Sequence, residues 1–374
     1  MAKKYFVTGA TGAIGSALIP LLLEDQNNQV WALMRADSCD HLTKRLEELI
    51  TFWEMDCDQA QDARRRIIPL QGDTDQSKFA LSEGVYTEIA SQCTHIIHCA
   101  GVVRMNLPLA VARRHALGSA QNIVELALAC QASGSLQKIE YVSTVGVAGR
   151  MSGIVPETWI TQPREFHNTY EQSKAEAEDY LREQIERHNL PVTVHRPSMV
   201  VGDSKTGKII HYQIFYHICE FLTGNRTFGL LPFVGSAVLD TVPVDYVAQV
   251  IKFCSGREEM AGEIMHLCSG YDAIKLTELR LLVRKMLKQH GRRLPVLIPL
   301  PVELFNVLIK WVTPLLSADL QRAVKTVPYF LDYLGDKQIF DNSGTLLLLK
   351  SQLEESYSMS NWDYLVNVLK SYLD

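Results

Sequence analysis

The sequence has eight cysteines but no C-x-x-C pair among them, and no His/Cys spacing that would wrap zinc. That excludes a cysteine-built metal site and leaves the thiols as reduced side chains of a cytoplasmic protein, with no metal implied. It also lacks a surplus of basic charge: 37 Lys and Arg against 42 Asp and Glu give a net charge of −5. A nucleic-acid-binding face needs the opposite balance. The short basic runs Arg64-Arg65-Arg66, Arg113-Arg114 and Arg292-Arg293 are expected on solvated surface. Long apolar runs are absent as well. The most membrane-like stretch, Leu294 to Leu316, is interrupted by Pro295, Pro299, Pro301, Pro314, Glu303 and Lys310, so it offers no span of about 20 apolar residues. The apolar run behind Lys3-Lys4 stops within a few residues at a glycine loop and reads as a first strand, not a signal peptide.

What is present is enough apolar sequence, 47% of 374 residues, for one large domain with an appendage or for two domains. Short β-branched runs at Tyr5–Val7, Val30–Leu33, Ile67–Leu70, His95–Cys99, Ile139–Ser143 and Val192–His195 alternate with helical patterns. This predicts an α/β fold with a Rossmann-like, doubly wound parallel sheet. Leu42, Leu46, Leu49 and Trp53 form one helical stripe between the second and third runs. Pro20 lies inside the first helix and is expected to kink it. Beyond Gly270 no further strand-helix-strand units are read, and an amphipathic helix from Leu276 to Leu287 is expected to be capped by Thr277. The predicted division is 1–270 for the nucleotide-binding part and 271–374 for a smaller, mainly helical substrate domain, with 204–237 contributing to the substrate side.

The first turn carries Thr8-Gly9-Ala10-Thr11-Gly12-Ala13-Ile14-Gly15 between a strand and a helix. Glycines at that spacing let backbone amides reach a pyrophosphate, and the helix amino terminus adds about half a positive charge. The second strand ends at Arg35, where a carboxylate would select NAD, so NADPH is expected. Arg45 is a second candidate phosphate contact and Asp73 a candidate for the adenine edge, while Asp37, two residues past Arg35, pulls the other way. Tyr170 and Lys174 stand one helical turn apart, an arrangement in which an ammonium can bring a phenol toward working range. The same Tyr-x-x-x-Lys spacing recurs at Tyr271–Lys275 and Tyr333–Lys337. Tyr170 is preferred because it opens a long helix shortly after a strand ending in Ser143-Thr144, whose hydroxyl reaches the crevice where such sheets bind ligands.

With these motifs in hand, the chain resembles the extended short-chain dehydrogenase/reductase superfamily, and within it the thioester reductases and fatty acyl-CoA reductases. The resemblance is carried by the glycine loop, Arg35 and Arg45-Leu46, Gly72-Asp73, His98-Cys99-Ala100-Gly101, Tyr141 to Thr144, Tyr170 to Lys174, Arg196-Pro197-Ser198, Gly202 to Gly207 and Val242 to Ala248. Val327-Pro328-Tyr329, Phe340-Asp341-Asn342 and Trp362 carry it in the tail. It implies hydride transfer from NADPH to an acyl thioester, on CoA or a carrier protein, with release of thiol and aldehyde and a second reduction to alcohol as a further option. Thr144, Tyr170 and Lys174 would be the catalytic residues. Cofactor contacts are implied from Thr8, Gly9, Thr11, Gly12, Ala13, Ile14, Gly15, Arg35, Arg45, Asp73, Thr74, Cys99, Ala100, Gly101, Lys174, Pro197, Ser198 and Val200.

Two departures stand out. His115 precedes Gly118-Ser119 where asparagine is common, and Cys99-Ala100-Gly101 follows His98 where Asn-Ala-Ala is common. The sequence starts at the nucleotide fold, so the thioester is expected to arrive in trans. Leu304, Phe305, Leu308, Ile309 and Trp311 either line an acyl tunnel, pack as an ordinary helical core or rest on a membrane surface. The residues alone also leave open a ketone or hydroxysteroid-type reductase, a sugar-nucleotide epimerase and a non-catalytic dinucleotide sensor. Arg35 and the apolar tail weigh against an epimerase, and the joint presence of Thr144, Tyr170 and Lys174 weighs against a sensor.

Overall fold

The computed structural model describes residues 2–233, 235, 237–312, 337–350 and 362–373. Its contacts divide the chain into two units: 1–149 with 157–197 and 244–267, and 150–156 with 198–243 and 268–374.

The first unit is built on strands β1 (Lys4–Thr8), β2 (Gln29–Met34), β3 (Ile67–Gln71), β4 (His95–His98), β5 (Lys138–Val142), β6 (Val192–Pro197) and β7 (Ile264–Leu267). They form one seven-stranded sheet in the order β7-β6-β5-β4-β1-β2-β3, with every pairing parallel. Six of these strands fall where β-branched runs predict them. The seventh, β7, is an addition: Ile264 to Leu267 is only four residues long and lacks a β-branched run, yet it pairs in register with Val194 to Pro197. The chain leaves β1 for β2 on one side and returns to β4 on the other, so the loops after β1 and β4 open a crevice at the carboxy ends of the strands. Phe6 and Val7 of β1 are fully buried, as a central parallel strand covered on both faces must be.

Helices α1 (Ala13–Leu22) and α2 (Cys39–Phe52) follow the first two strands. Pro20 sits inside α1 without ending it. A proline there cannot donate to the carbonyl four residues earlier, and the Trp53 indole N–H supplies that bond instead, at 2.6 Å from the Ser16 oxygen. Trp53 thus serves both the apolar stripe of α2 and the orphaned acceptor of α1.

In the second unit, helices cover Ile214–Leu222, Leu276–Gln289, Val302–Val312, Ser343–Lys350 and Asp363–Leu373. Four short two-stranded pairings accompany them. The helix expected to be capped by Thr277 starts one residue earlier, at Leu276, with Lys275 at the cap position and no side-chain cap. Of the five tail residues considered for an acyl tunnel, Phe305 is fully buried, but Leu304 is 46% and Trp311 78% exposed. These two do not line an enclosed tunnel, because they face away from the side that Phe305 buries. The Ile309 side chain and the Val327-Pro328-Tyr329 and Tyr333 positions lie outside the described residues. No helix among the described residues is long and apolar enough to cross a membrane.

Candidate active site

The crevice at β1 is held together from beneath. Thr8 is fully buried, its hydroxyl lies 2.8 Å from His98 Nδ1, and the Ala100 N–H donates to it at 3.4 Å. Thr8 therefore ties the loop after β1 to the loop after β4. Gly9 takes φ +72°, and a Cβ there would come within 2.7 Å of Ala100 N, so the two loops touch through backbone alone. Gly15 closes the turn onto α1, with a would-be Cβ 2.2 Å from the Gly9 oxygen. Gly12 is the N-cap of α1 and makes no side-chain cap, which leaves amides of the first turn, at Ala13 and Ile14, facing outward to meet an anion. This cradle fits a dinucleotide pyrophosphate.

The basic residues read from the sequence converge beside it. Arg45 donates from Nη1 to the Arg35 carbonyl at 2.5 Å and from Nη2 to Thr11 Oγ1 at 2.6 Å. It is therefore anchored to the glycine loop and is not a solvated helix face. Arg35 Nε pairs with Asp73 at 3.2 Å while its side chain stays 53% exposed. Asp37 turns to His41 at 3.4 Å, with its carboxylate 98% exposed. Asp73 also accepts from the Asp75 N–H at 3.1 Å, and the Thr74 carbonyl accepts from Asn122 at 2.7 Å. The segment after β3 is thereby fixed under the arginines.

Across the crevice, β5 delivers Thr144, whose hydroxyl accepts from the Gly146 N–H at 3.1 Å and caps a short 3₁₀ turn over Val145–Ala148. Helix α3 (Thr169–His188) starts behind Asn168, whose side chain accepts from the Glu171 N–H at 3.0 Å. That cap puts Tyr170 in the first turn and Lys174 one turn on, on the same face. The Thr144 hydroxyl lies near enough to the Tyr170 phenol to favour its charged form. Lys174 donates to the Val142 carbonyl at 3.0 Å and lies 5.0 Å from the centre of the Tyr141 ring. A cleft here is lined by His98, Ala100, Gly101, His115, Tyr170 and Lys174 among others.

The electrostatics differ from the sequence expectation at one point. Lys174 was expected to make the Tyr170 phenol more acidic, but burial pushes the phenol up to about 12, outweighing the opposite influence of Thr144. The phenol is thus a firmly held proton at neutral pH. Burial pulls Lys174 the other way, down to about 8, with Glu178 working against the drop.

The remaining predicted contacts are spread more widely. Cys99 sits behind the crevice with its thiol pushed up to about 12 by burial. Pro197 ends β6 beside Leu267. Ser198 and Val200 belong to the second unit, where Val200 pairs with Val242 and the nearby Asp240 carboxyl, which accepts from the Ser269 and Gly270 N–H groups, is pushed up to about 6 by burial. The other two Tyr-x-x-x-Lys patterns do not form the same arrangement: Tyr271 is in a 3₁₀ turn and Lys275 in a following strand, and Tyr333 is outside the described residues. His115, one of the two departures from the family pattern, lies on a π turn over Arg114–Gly118, and its Nδ1 pairs with the Asp75 carboxylate. One trio that could ligate a metal, Glu140, His195 and Cys254, is fully buried beneath the sheet. Glu140 already bonds His195 at 2.6 Å and Lys138 stands 3.6 Å away. That ammonium would repel an added cation, and burial keeps the Cys254 thiol protonated.

The family model described as "Male sterility protein", an NAD-binding model, matches residues 7–251, a span that includes Thr8 to Gly15, Thr144, Tyr170 and Lys174. The chain belongs to the male sterility protein family. It is accordingly a member of the extended short-chain dehydrogenase/reductase superfamily, built on an NAD-binding domain. A linear gramicidin synthase polypeptide of Brevibacillus parabrevis is 27% identical over 266 residues, 70% of this chain and 5% of that protein. The family domain thus spans a small part of the curated relatives it matches. Among solved structures, the terminal R domain of the myxalamid PKS-NRPS pathway has a TM-score of 0.78 at 24% identity, covering 99% of this chain and 90% of that one. A thiolation-reductase di-domain from an archaeal non-ribosomal peptide synthetase has a TM-score of 0.76 at 17% identity, covering 99% and 75%. Both share the fold of this family member.

Proposed function

We propose that this protein is an NADPH-dependent reductase of carrier-linked acyl thioesters, yielding thiol and aldehyde. The observation that carries the reading is the cleft lined by Tyr170 and Lys174 together with Ala100, the residue that packs against Gly9 of the glycine loop, in a chain similar to a linear gramicidin synthase and to a reductase joined to a thiolation domain.

When bound, the dinucleotide supplies a hydride to the carbonyl carbon. The chain's own residues handle the oxygen. Thr144 accepts from Gly146 and so keeps its own proton to donate. Tyr170, held protonated by burial, donates its proton to the oxygen as negative charge develops there, in a setting screened from water. Lys174 lines the same cleft, where its ammonium would hold the ribose of the dinucleotide. Breaking the carbon–sulfur bond of the resulting hemithioacetal then releases the thiol, and the hydroxyl oxygen becomes the aldehyde carbonyl. A second hydride and proton would give the alcohol. The discriminating measurement follows NADPH oxidation and free thiol together, over acyl groups on a carrier protein and on CoA, fatty aldehydes and ketones. Thiol appearing in step with NADPH loss supports the reading; turnover of aldehydes or ketones alone overturns it.

The preference for NADPH rests on Arg35 and Arg45 meeting beside Thr11. Charge-assisted bonds of this kind contribute about 1.5–3 kcal/mol each. Arg35→Ala should therefore weaken NADPH binding by about 10- to 100-fold while barely changing NADH binding, as read by fluorescence titration. Equal losses for both dinucleotides would remove the basis for the preference.

A further inference from the structure

On the face of α3 that carries Tyr170 and Lys174, the next turn presents Glu178, which is 3% exposed. Its carboxylate takes two bonds from Arg196 on β6, Nε to Oε1 at 3.0 Å and Nη2 to Oε2 at 2.7 Å. Arg196 is fully buried. Its Nη1 donates to the Thr158 carbonyl at 2.9 Å and faces His266 Nε2 at 3.3 Å. The Ser143 N–H, at the end of β5, donates to the His195 carbonyl of β6 at 2.7 Å. Helix α3 and β6 are thus fastened at one buried carboxylate, one helical turn beyond the lysine of the proposed hydride site.

We propose that Glu178, held by Arg196, is the positioning residue that keeps the Lys174 ammonium charged inside the protein. The inference rests on the reading that Lys174 serves that site. A buried amine surrounded by neutral groups loses its proton. The groups facing Lys174 from other elements are His98 and Cys99 at the end of β4, Tyr141 on β5 and His115 across the cleft. Burial drives His98 down to about 3, so it is neutral, and pushes the thiol of Cys99 and the phenol of Tyr141 up, so they too are uncharged. Glu178 stands one turn beyond Lys174 on the same buried face of α3, and its carboxylate works against the loss of the lysine's proton. Burial by itself would protonate Glu178, but the paired Arg196 guanidinium holds it below the ordinary carboxylate range. Arg196 acts on the lysine only through this carboxylate.

The test titrates Lys174 itself on the full chain without dinucleotide or substrate. Trace acetylation with acetic anhydride across a pH series, read by mass spectrometry of the Lys174 peptide, gives the midpoint at which the amine becomes reactive. Glu178→Gln should lower that midpoint by about one pH unit or more, as expected on removing an opposite charge nearby. Glu178→Asp should leave it close to wild type. Should Glu178→Gln fail to fold, the double variant Glu178→Met with Arg196→Met removes both charges without leaving either unpaired, and must show the same drop. Coincident midpoints in wild type and in whichever of these variants folds would overturn the proposal. Because no turnover is measured, failure of the thioester reading would leave this result standing, and the reverse also holds.

Discussion

Tyr170→Phe is expected to lower turnover by about 10²- to 10⁴-fold, the usual loss when a positioned proton donor is removed, while dinucleotide binding stays near wild type. The phenol lies in the first turn of α3 and lines the cleft with Lys174. It has no part in the glycine loop that would hold the pyrophosphate. The substitution removes one oxygen and little packing, because the ring remains. Its effect should appear in kcat, since a proton donated to a developing oxyanion stabilises the transition state more than the bound substrate. Tyr271→Phe provides the control. Its side chain is 63% exposed in a 3₁₀ turn, and it should leave both turnover and binding unchanged. Stopped-flow turnover with a carrier-linked thioester, beside NADPH fluorescence titration, checks both variants. Turnover retained in Tyr170→Phe would mean that another group donates the proton.

How much of this site could be read from sequence depended on whether the signal was local. The glycine loop was legible because its chemistry and spacing sit in one turn, and Tyr170 with Lys174 because one helix places both. Preferring Tyr170 over Tyr271 required only the change from helix to turn, which the neighbouring Ser269-Gly270 announces. Arg45 was ambiguous, because its partner Thr11 lies 34 positions away and only the packing of α2 beside α1 joins them. Glu178 was missed for the same reason. A carboxylate one turn beyond Lys174 looks like any solvated helix residue until β6 brings Arg196 against it. The pair could have been suspected from the Arg-Pro motif, since a guanidinium in a buried strand requires an anion. The Tyr170 expectation failed on magnitude: sequence supplied the lysine charge but not the depth of burial, and burial prevailed. The short strand β7 escaped because four residues do not establish a period, and the tail helix stayed open between tunnel, core and membrane surface because its apolar residues occupy more than one face.

Gly15→Ala should be the most damaging single-methyl change in the crevice. The added carbon would stand 2.2 Å from the Gly9 oxygen and 2.9 Å from Ala10 Cα. These are backbone atoms, and Gly9 is itself pinned against Ala100. No side chain can swing aside, so α1 and the loop must separate by about 1 Å. Overpacking of this kind costs about 1–3 kcal/mol or more in a rigid setting, and the same separation moves the amides of the α1 amino terminus out of their arrangement for a pyrophosphate. The variant should lose thermal stability and dinucleotide binding together. Gly12→Ala separates the two effects. Its carbon would meet only the Gly9 oxygen, at 3.1 Å, and the Gly12 backbone, at φ −82°, is open to any residue. Its stability should stay within about 1 kcal/mol of wild type, while binding falls because the new methyl occupies the surface where the phosphates approach. Thermal unfolding with fluorescence titration of both variants checks the pair. If Gly15→Ala unfolded and bound dinucleotide like wild type, the loop and helix would have to move apart freely, and the close backbone packing of Gly9, Gly15 and Ala100 could not be what shapes the cradle.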